Sequence, residues 1–198
     1  ERIDWIERTG GLLRLHRGDD AEDAPTEALR VVIAIGRTGN FRALNVPGEE
    51  LEKVSNRLHD PKEFSGQEVL VAGGGDSACE AAIALTLAGA HTTLSYRKDE
   101  FTRPKPDNLA KLRVLEHSPQ AEVGVIEPVS ERVTTALSPQ ILGSKRATGS
   151  LQILMASQIE RIEEESVTIK GPDGRSKQVE NDAVFAMIGR EPPLDFFR

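Results

Sequence analysis

The chain has 198 residues, 38% hydrophobic and 29% charged, enough for one sizeable core and a small appended lobe. A formal net charge of −7 argues against a nucleic-acid partner. No apolar run approaches about 18 residues, so no membrane-spanning helix is expected.

The chain opens at Glu1 with no initiator Met, no basic n-region and no apolar h-region. A fragment of a longer protein without a secretory signal is therefore expected. Its single cysteine, Cys79, has no partner for an internal disulfide, which is compatible with a reducing, cytoplasmic setting.

Residues 1–30 alternate loosely around Gly10-Gly11 and the polar run from Gly18 to Asp23. Leu13 and Leu15, and later Leu29, Val31 and Ile33, fall at period two, which predicts a β-hairpin or small meander. Arg37-Thr38-Gly39-Asn40 breaks the strand, and Asn45-Val46-Pro47-Gly48-Glu49 marks a turn. Leu51 to Gly66 is polar and reads as a linker with one short helical turn. His59 beside Asp60 has no nucleophile motif near it, and adjacent side chains seldom orient one another, so the pair is not read as catalytic. His16, His91 and His117 show no metal-ligand spacing, and no metal is expected.

The most informative stretch runs from Val69 to Arg103. Val69-Leu70-Val71-Ala72 fits a buried parallel strand, and Gly73-Gly74-Gly75-Asp76-Ser77-Ala78 follows it as G-x-G-x-x-A. That pattern turns the backbone sharply and offers N–H groups at a helix N-terminus to a pyrophosphate. Gly73 suits the tight turn, Gly75 the close approach of a diphosphate, and Ala78 the seating of the helix on the strands. Ala81, Ala82, Leu85, Leu87 and Ala88 continue that helix with a small, apolar face. Asp76 and Ser77 also suit a helix start with no ligand at all, since short polar and acidic side chains favour the first turn.

Thr92-Thr93-Leu94-Ser95-Tyr96 reads as the next strand. An NAD site places an Asp or Glu about 20 residues past the glycines, on the ribose 2′-OH. Here Arg97 and Lys98 stand at that place with Arg103 close behind, a set suited to a 2′-phosphate, so NADPH is preferred over NADH. The alternative for these cations is an ordinary solvated loop.

Pro104 and Pro106 delay a helix over Asp107 to Glu116, with Leu109, Leu112 and Leu115 on one stripe. Ser118 to Ser150 reads as one or two strands and a loop. Leu151 to Met155 is a third core strand, Gln158 to Glu163 and Ser166 to Lys170 form a hairpin, Pro172-Asp173-Gly174 is a turn, and Gln178 to Ile188 returns. The expected class is α/β and Rossmann-like: a mostly parallel sheet with helices on both faces plus an antiparallel β-meander.

The Gly73 to Ala78 run, Glu80, the Arg97/Lys98/Arg103 cluster and the tail Asp182 to Pro192 together resemble the NAD(P)H-binding domain of FAD-dependent pyridine nucleotide-disulfide oxidoreductases, the thioredoxin reductase-like branch in particular. The resemblance covers residues 28–195 and includes two A-I-G-type crossing segments, Val31 to Gly36 and Val184 to Gly189. It implies that 1–45 belong to a truncated FAD domain, 46–66 to a linker, 67–185 to an NADPH-binding domain with 118–150 as an insertion, and 186–198 to a return crossing. It further implies that Gly73, Gly74, Gly75, Asp76, Ser77 and Ala78 hold the pyrophosphate, and that Arg97, Lys98 and Arg103 hold the 2′-phosphate. Tyr96 would stack near the adenine, with Glu80 and Gly189 at the nicotinamide end. The partners implied are the missing FAD domain, an unknown electron acceptor and a second copy in a homodimer when intact.

The departures matter too. That branch carries a C-x-x-C pair inside this domain, whereas here only Cys79 exists, on the helix after the glycines. A two-thiol relay within the chain is impossible, and Cys79 is expected to be a small core residue rather than a reactive thiolate. The first FAD fingerprint and the C-terminal flavin segment are missing as well, so this chain is expected to bind NADPH without retaining FAD and to be inactive alone. A non-catalytic NADP-binding regulatory or interaction module is the alternative. A short-chain dehydrogenase is disfavoured, because the one tyrosine, Tyr96, makes no Tyr-x-x-x-Lys pair.

Overall fold

The computed structural model describes residues 3–17, 24–32, 41–121, 123 and 148–190. The chain divides into two compact units, Glu1–Asn40 with Arg190–Arg198, and Phe41–Gly189. In the first, β1 (Trp5–Thr9) and β2 (Leu12–His16) form an antiparallel hairpin, and β3 (Thr26–Ala28) pairs antiparallel with β2. The tight turn takes positive φ at both Gly10 and Gly11, the geometry that matches strand twist in a two-residue hairpin. Trp5 and His16 face each other across this pair and stack at 3.5 Å.

In the second unit, residues 46–66 supply an edge strand, β4 (Val54–Ser55), and, as the short helical turn expected in the linker, a 3-10 turn over Pro61–Phe64. Leu58 is fully buried, and Phe64 meets Phe185 edge-on at 5.1 Å. Asp60 accepts a hydrogen bond from the Lys62 N–H at 3.0 Å, so its carboxylate caps that turn. Lys53 ties the segment down further, donating to the Asn181 carbonyl at 2.7 Å and to the Glu164 carbonyl at 3.0 Å.

There follow β5 (Glu68–Ala72), α1 (Asp76–Ala88), β6 (His91–Ser95), α2 (Pro106–His117), β7 (Ser150–Leu154), β8 (Gln158–Ile162), β9 (Ser166–Lys170), β10 (Ser176–Glu180) and β11 (Ala183–Ala186). Five strands pair in parallel in the order β4-β11-β5-β6-β7, and β10-β9-β8 form a separate antiparallel sheet. The α/β, mainly parallel architecture is as the periodicity predicts. No helix among the described residues is long and apolar enough to cross a membrane.

One expectation is corrected: the described helices do not lie on both faces. Val69 and Val71 of β5 point into a core shared with α1 and α2, through Ala81, Leu85, Leu112 and Leu115. Leu70 and Ala72 point the other way, into a core built by Ile159, Ile162, Val167 and Ile169 of the antiparallel sheet. A sheet with one apolar face does the work of a second helical layer. Strict alternation would put Ile159 and Ile162 on opposite faces. A register shift between Ile159 and Arg161 resets the phase, and both are buried. Each fully buried leucine here, such as Leu70 or Leu85, contributes about 1.5–3 kcal/mol. The first crossing segment, which runs to Gly36, and the insertion read over 118–150 fall largely outside the described residues.

Candidate functional site at the strand ends

Register alone brings the predicted residues to one edge. Ala72, the last residue of β5, pairs with Ser95 of β6 and Ala186 of β11, so the loops after these three parallel strands leave the sheet together. In an open α/β sheet this carboxyl edge is where ligands bind.

The three glycines of the first loop have different surroundings. The Gly73 N–H donates to the Ser95 carbonyl at 2.9 Å, and the backbone then turns through φ +147. A Cβ there would stand 2.5 Å from the Met187 carbonyl oxygen and 3.0 Å from Cβ of the fully buried Ala78. A Cβ on Gly74 would land on the ring of Tyr96. Gly75 has nothing within 4 Å of its Cβ position, and it starts α1 with no side-chain cap. The amides of Ala78 and Cys79 both bond back to the Gly75 carbonyl at 3.1 Å. Here, then, is an uncapped helix N-terminus behind open space, suited to an anion.

Asp76 is not turned to that opening: its Oδ1 accepts from the Lys105 N–H at 2.7 Å and from Asn108 Nδ2 at 2.9 Å, pinning the start of α2 to the start of α1. Ser77 is half-buried beside it. Glu80, one turn further, takes a long contact of 3.5 Å from Asn108 Nδ2 on Oε1, while its buried Oε2 has no partner among the described residues. Burial pushes the Glu80 carboxyl above the usual carboxylate range, Asn108 opposes this, and the charge of Asp76 adds to it. Cys79 is fully buried, and burial with Asp76 and Glu80 nearby pushes its thiol up to about 12. It stays protonated at neutral pH, as a packing residue does.

In the second loop, Tyr96 is only 7% exposed, and its ring stacks on Phe101 at 5.3 Å with 4° between planes. The ring expected to stack near the adenine lies against Phe101 and the glycine turn. Arg97, Lys98 and Arg103 are exposed, and among the described residues none of them enters an ion pair. The loop's root is tied to the β7–β8 connection, where the Ser157 N–H donates to the Tyr96 carbonyl at 3.0 Å and the Ala156 N–H to the Lys98 carbonyl at 2.7 Å. The Ser95 and Ser157 hydroxyls meet at 2.8 Å underneath. After β11, Gly189 takes φ +107 and has open space where a Cβ would be.

The turn, the basic loop and Gly189 thus share one edge. Sequence reasoning missed Asn108, Phe101 and Ser157. Only Asn108 left a signal, as a lone amide in the first turn of an otherwise amphipathic helix.

Residues 20–123 match the family model described as pyridine nucleotide-disulphide oxidoreductase. Over 74 residues the chain is 40% identical to a ferredoxin–NADP reductase from Ignicoccus hospitalis, covering 37% of this chain and 24% of that protein. Over 168 residues it is 25% identical to a bacilliredoxin reductase from Bacillus subtilis, covering 83% and 42%. The chain thus spans less than half the length of these curated relatives. Its fold is similar to that of a bacillithiol disulfide reductase from Staphylococcus aureus, with TM-score 0.69, 24% identity, and 99% and 50% of the two chains covered. It is also similar to a thioredoxin reductase from Lactococcus lactis, with TM-score 0.64, 24% identity, and 98% and 55% covered.

Proposed function

Because this chain belongs to the pyridine nucleotide-disulphide oxidoreductase family, we propose that its Phe41–Gly189 unit is the NADPH-binding part of a flavin-dependent oxidoreductase. One observation carries the proposal. The open, uncapped start of α1 at Gly75 and three exposed cations that form no ion pair among the described residues, Arg97, Lys98 and Arg103, leave adjacent, in-register strands at the same edge.

The residues present fit a phosphorylated dinucleotide. First-turn amides of α1 would take the pyrophosphate, with Gly75 giving it room. Arg97, Lys98 and Arg103 would close around the 2′-phosphate. Glu80 Oε2, a buried acceptor without a donor among the described residues, would accept from the nicotinamide carboxamide, and Gly189 would let that end approach the backbone. The Asp76 side chain orients rather than binds, by holding α2 against α1 through Asn108.

When bound, NADPH supplies a hydride, for which FAD held elsewhere in the intact protein is the proposed acceptor. The unit on its own then binds nucleotide without turnover. Cys79 is unsuited to pass electrons on, being buried and protonated. The final acceptor is therefore proposed to be an iron–sulfur protein or a disulfide outside this chain, in keeping with relatives named for ferredoxin and bacilliredoxin. A cytoplasmic setting, with a homodimer for the intact protein, completes the proposal.

Titrating NADPH and NADH against the chain tests it. The expected outcome is a clear preference for NADPH that Arg97→Ala removes. Equal affinity for the two, or an unchanged preference in the variant, would overturn the assignment.

A further inference from the structure

Gly74 is the variable position of the G-x-G fingerprint, and nothing about the turn itself demands glycine there. Its φ lies outside the left-handed region, so the backbone is open to any residue. What excludes a side chain is the ring of Tyr96, on which a Cβ at this position would land. Tyr96 immediately precedes Arg97, is only 7% exposed, and carries Phe101 stacked at 5.3 Å. Its main chain is fixed on both sides, the Tyr96 N–H donating to the Leu154 carbonyl at 2.9 Å and its carbonyl accepting from Ser157 at 3.0 Å. Among the described residues its hydroxyl is given no hydrogen bond, so the flat ring is the part in use. Beyond this root, the cations of the basic loop have no ion pairs to hold them among the described residues.

From this juxtaposition we propose that Tyr96 is a positioning residue: its ring, packed on Gly74, is the strut through which the pyrophosphate turn sets the loop that reads the 2′-phosphate. The inference rests on the NADPH assignment and adds to it. Long cationic side chains lose rotamer freedom when they converge on one phosphate, and a loop whose root is already fixed has less left to order. Gly74 thereby acts in nucleotide selection without touching the part of the ligand that differs. NADPH and NADH share their pyrophosphate, so damage confined to the turn weakens both equally. Only a disturbance passed through Tyr96 changes their ratio.

The test measures both affinities by calorimetry, with thermal melting alongside, in the full chain and in Gly74→Ala, Tyr96→Phe and Tyr96→Leu. Tyr96→Phe is expected to keep the wild-type NADPH:NADH ratio. Gly74→Ala, which drives a methyl group into the ring, is expected to lower that ratio by about tenfold, the worth of one charge-assisted phosphate contact. Tyr96→Leu is expected to lower it similarly while still filling the space, and it serves as the readout should Gly74→Ala fail to fold. Equal losses for both nucleotides in Gly74→Ala, or an unchanged ratio in Tyr96→Leu, would overturn the strut. A wild-type chain without preference for NADPH would overturn the parent assignment instead.

Discussion

The two loops at the binding edge are built on opposite principles. Between Gly73 and Ala78 three positions are dictated by close neighbours: Met187 and Ala78 for Gly73, Tyr96 for Gly74, the strands for Ala78. From Arg97 to Arg103 the side chains other than Phe101 stand exposed, and only the loop's root is bonded. A pyrophosphate is recognised by main-chain amides, which must be fixed in advance, whereas a phosphate on ribose is recognised by charge, which can be carried on mobile side chains. Substitutions in the first loop should therefore damage the fold together with binding, and those in the second should alter binding alone.

The sharpest way to break that contrast is Gly73→Ala, which imposes φ +147 on an L residue and drives Cβ towards the Met187 carbonyl. A destabilisation of about 3 kcal/mol or more is expected, read by denaturant unfolding. Next comes Arg97→Ala, for which NADPH affinity should fall about tenfold while NADH affinity and the melting temperature stay put. Asn108→Ala removes the amide that serves both Asp76 and Glu80 and should cost about 1–2 kcal/mol of stability.

The smallest effect belongs to Glu80. Burial raises its carboxyl pKa in the fold, so the folded chain holds that proton more readily than the unfolded one. The resulting stability is fully present below the ordinary carboxylate range and is lost as pH rises through the raised value. Glu80→Gln should therefore be more stable than the natural chain at pH 7, within about 1 kcal/mol. The gain should fade below about pH 4, where both side chains are neutral. A difference that persists unchanged at low pH would mean that charge is not its cause.

Much of this was legible because the signals are local. Four apolar residues, a glycine turn and an alanine-rich run fix β5 and α1 within a residue or so, and Pro172-Asp173-Gly174 marks the β9–β10 turn. What escaped was set by partners far away in the chain. The two-residue β4 has no periodicity to read and exists because β11 lies beside it. The covering of the second sheet face was hidden by the shift at Ile159, which breaks the alternation that would have announced a one-sided sheet. Tyr96 looked like a free aromatic because nothing in sequence places it against a glycine more than twenty positions earlier.

The strand order β4-β11-β5 has a consequence for how the polypeptide is made. The segment Ala183–Ala186 fills the gap between two strands translated far ahead of it, so on the ribosome β4 and β5 wait without the strand that joins them until nearly the whole unit has emerged. β4 and β5 must meanwhile keep the edges that face this gap from pairing elsewhere, and closure is a late, long-range event of the slow kind. A chain halted between Ala88 and Ala183 already has the nucleotide turn in its sequence but lacks Met187, the neighbour against which that turn is shaped.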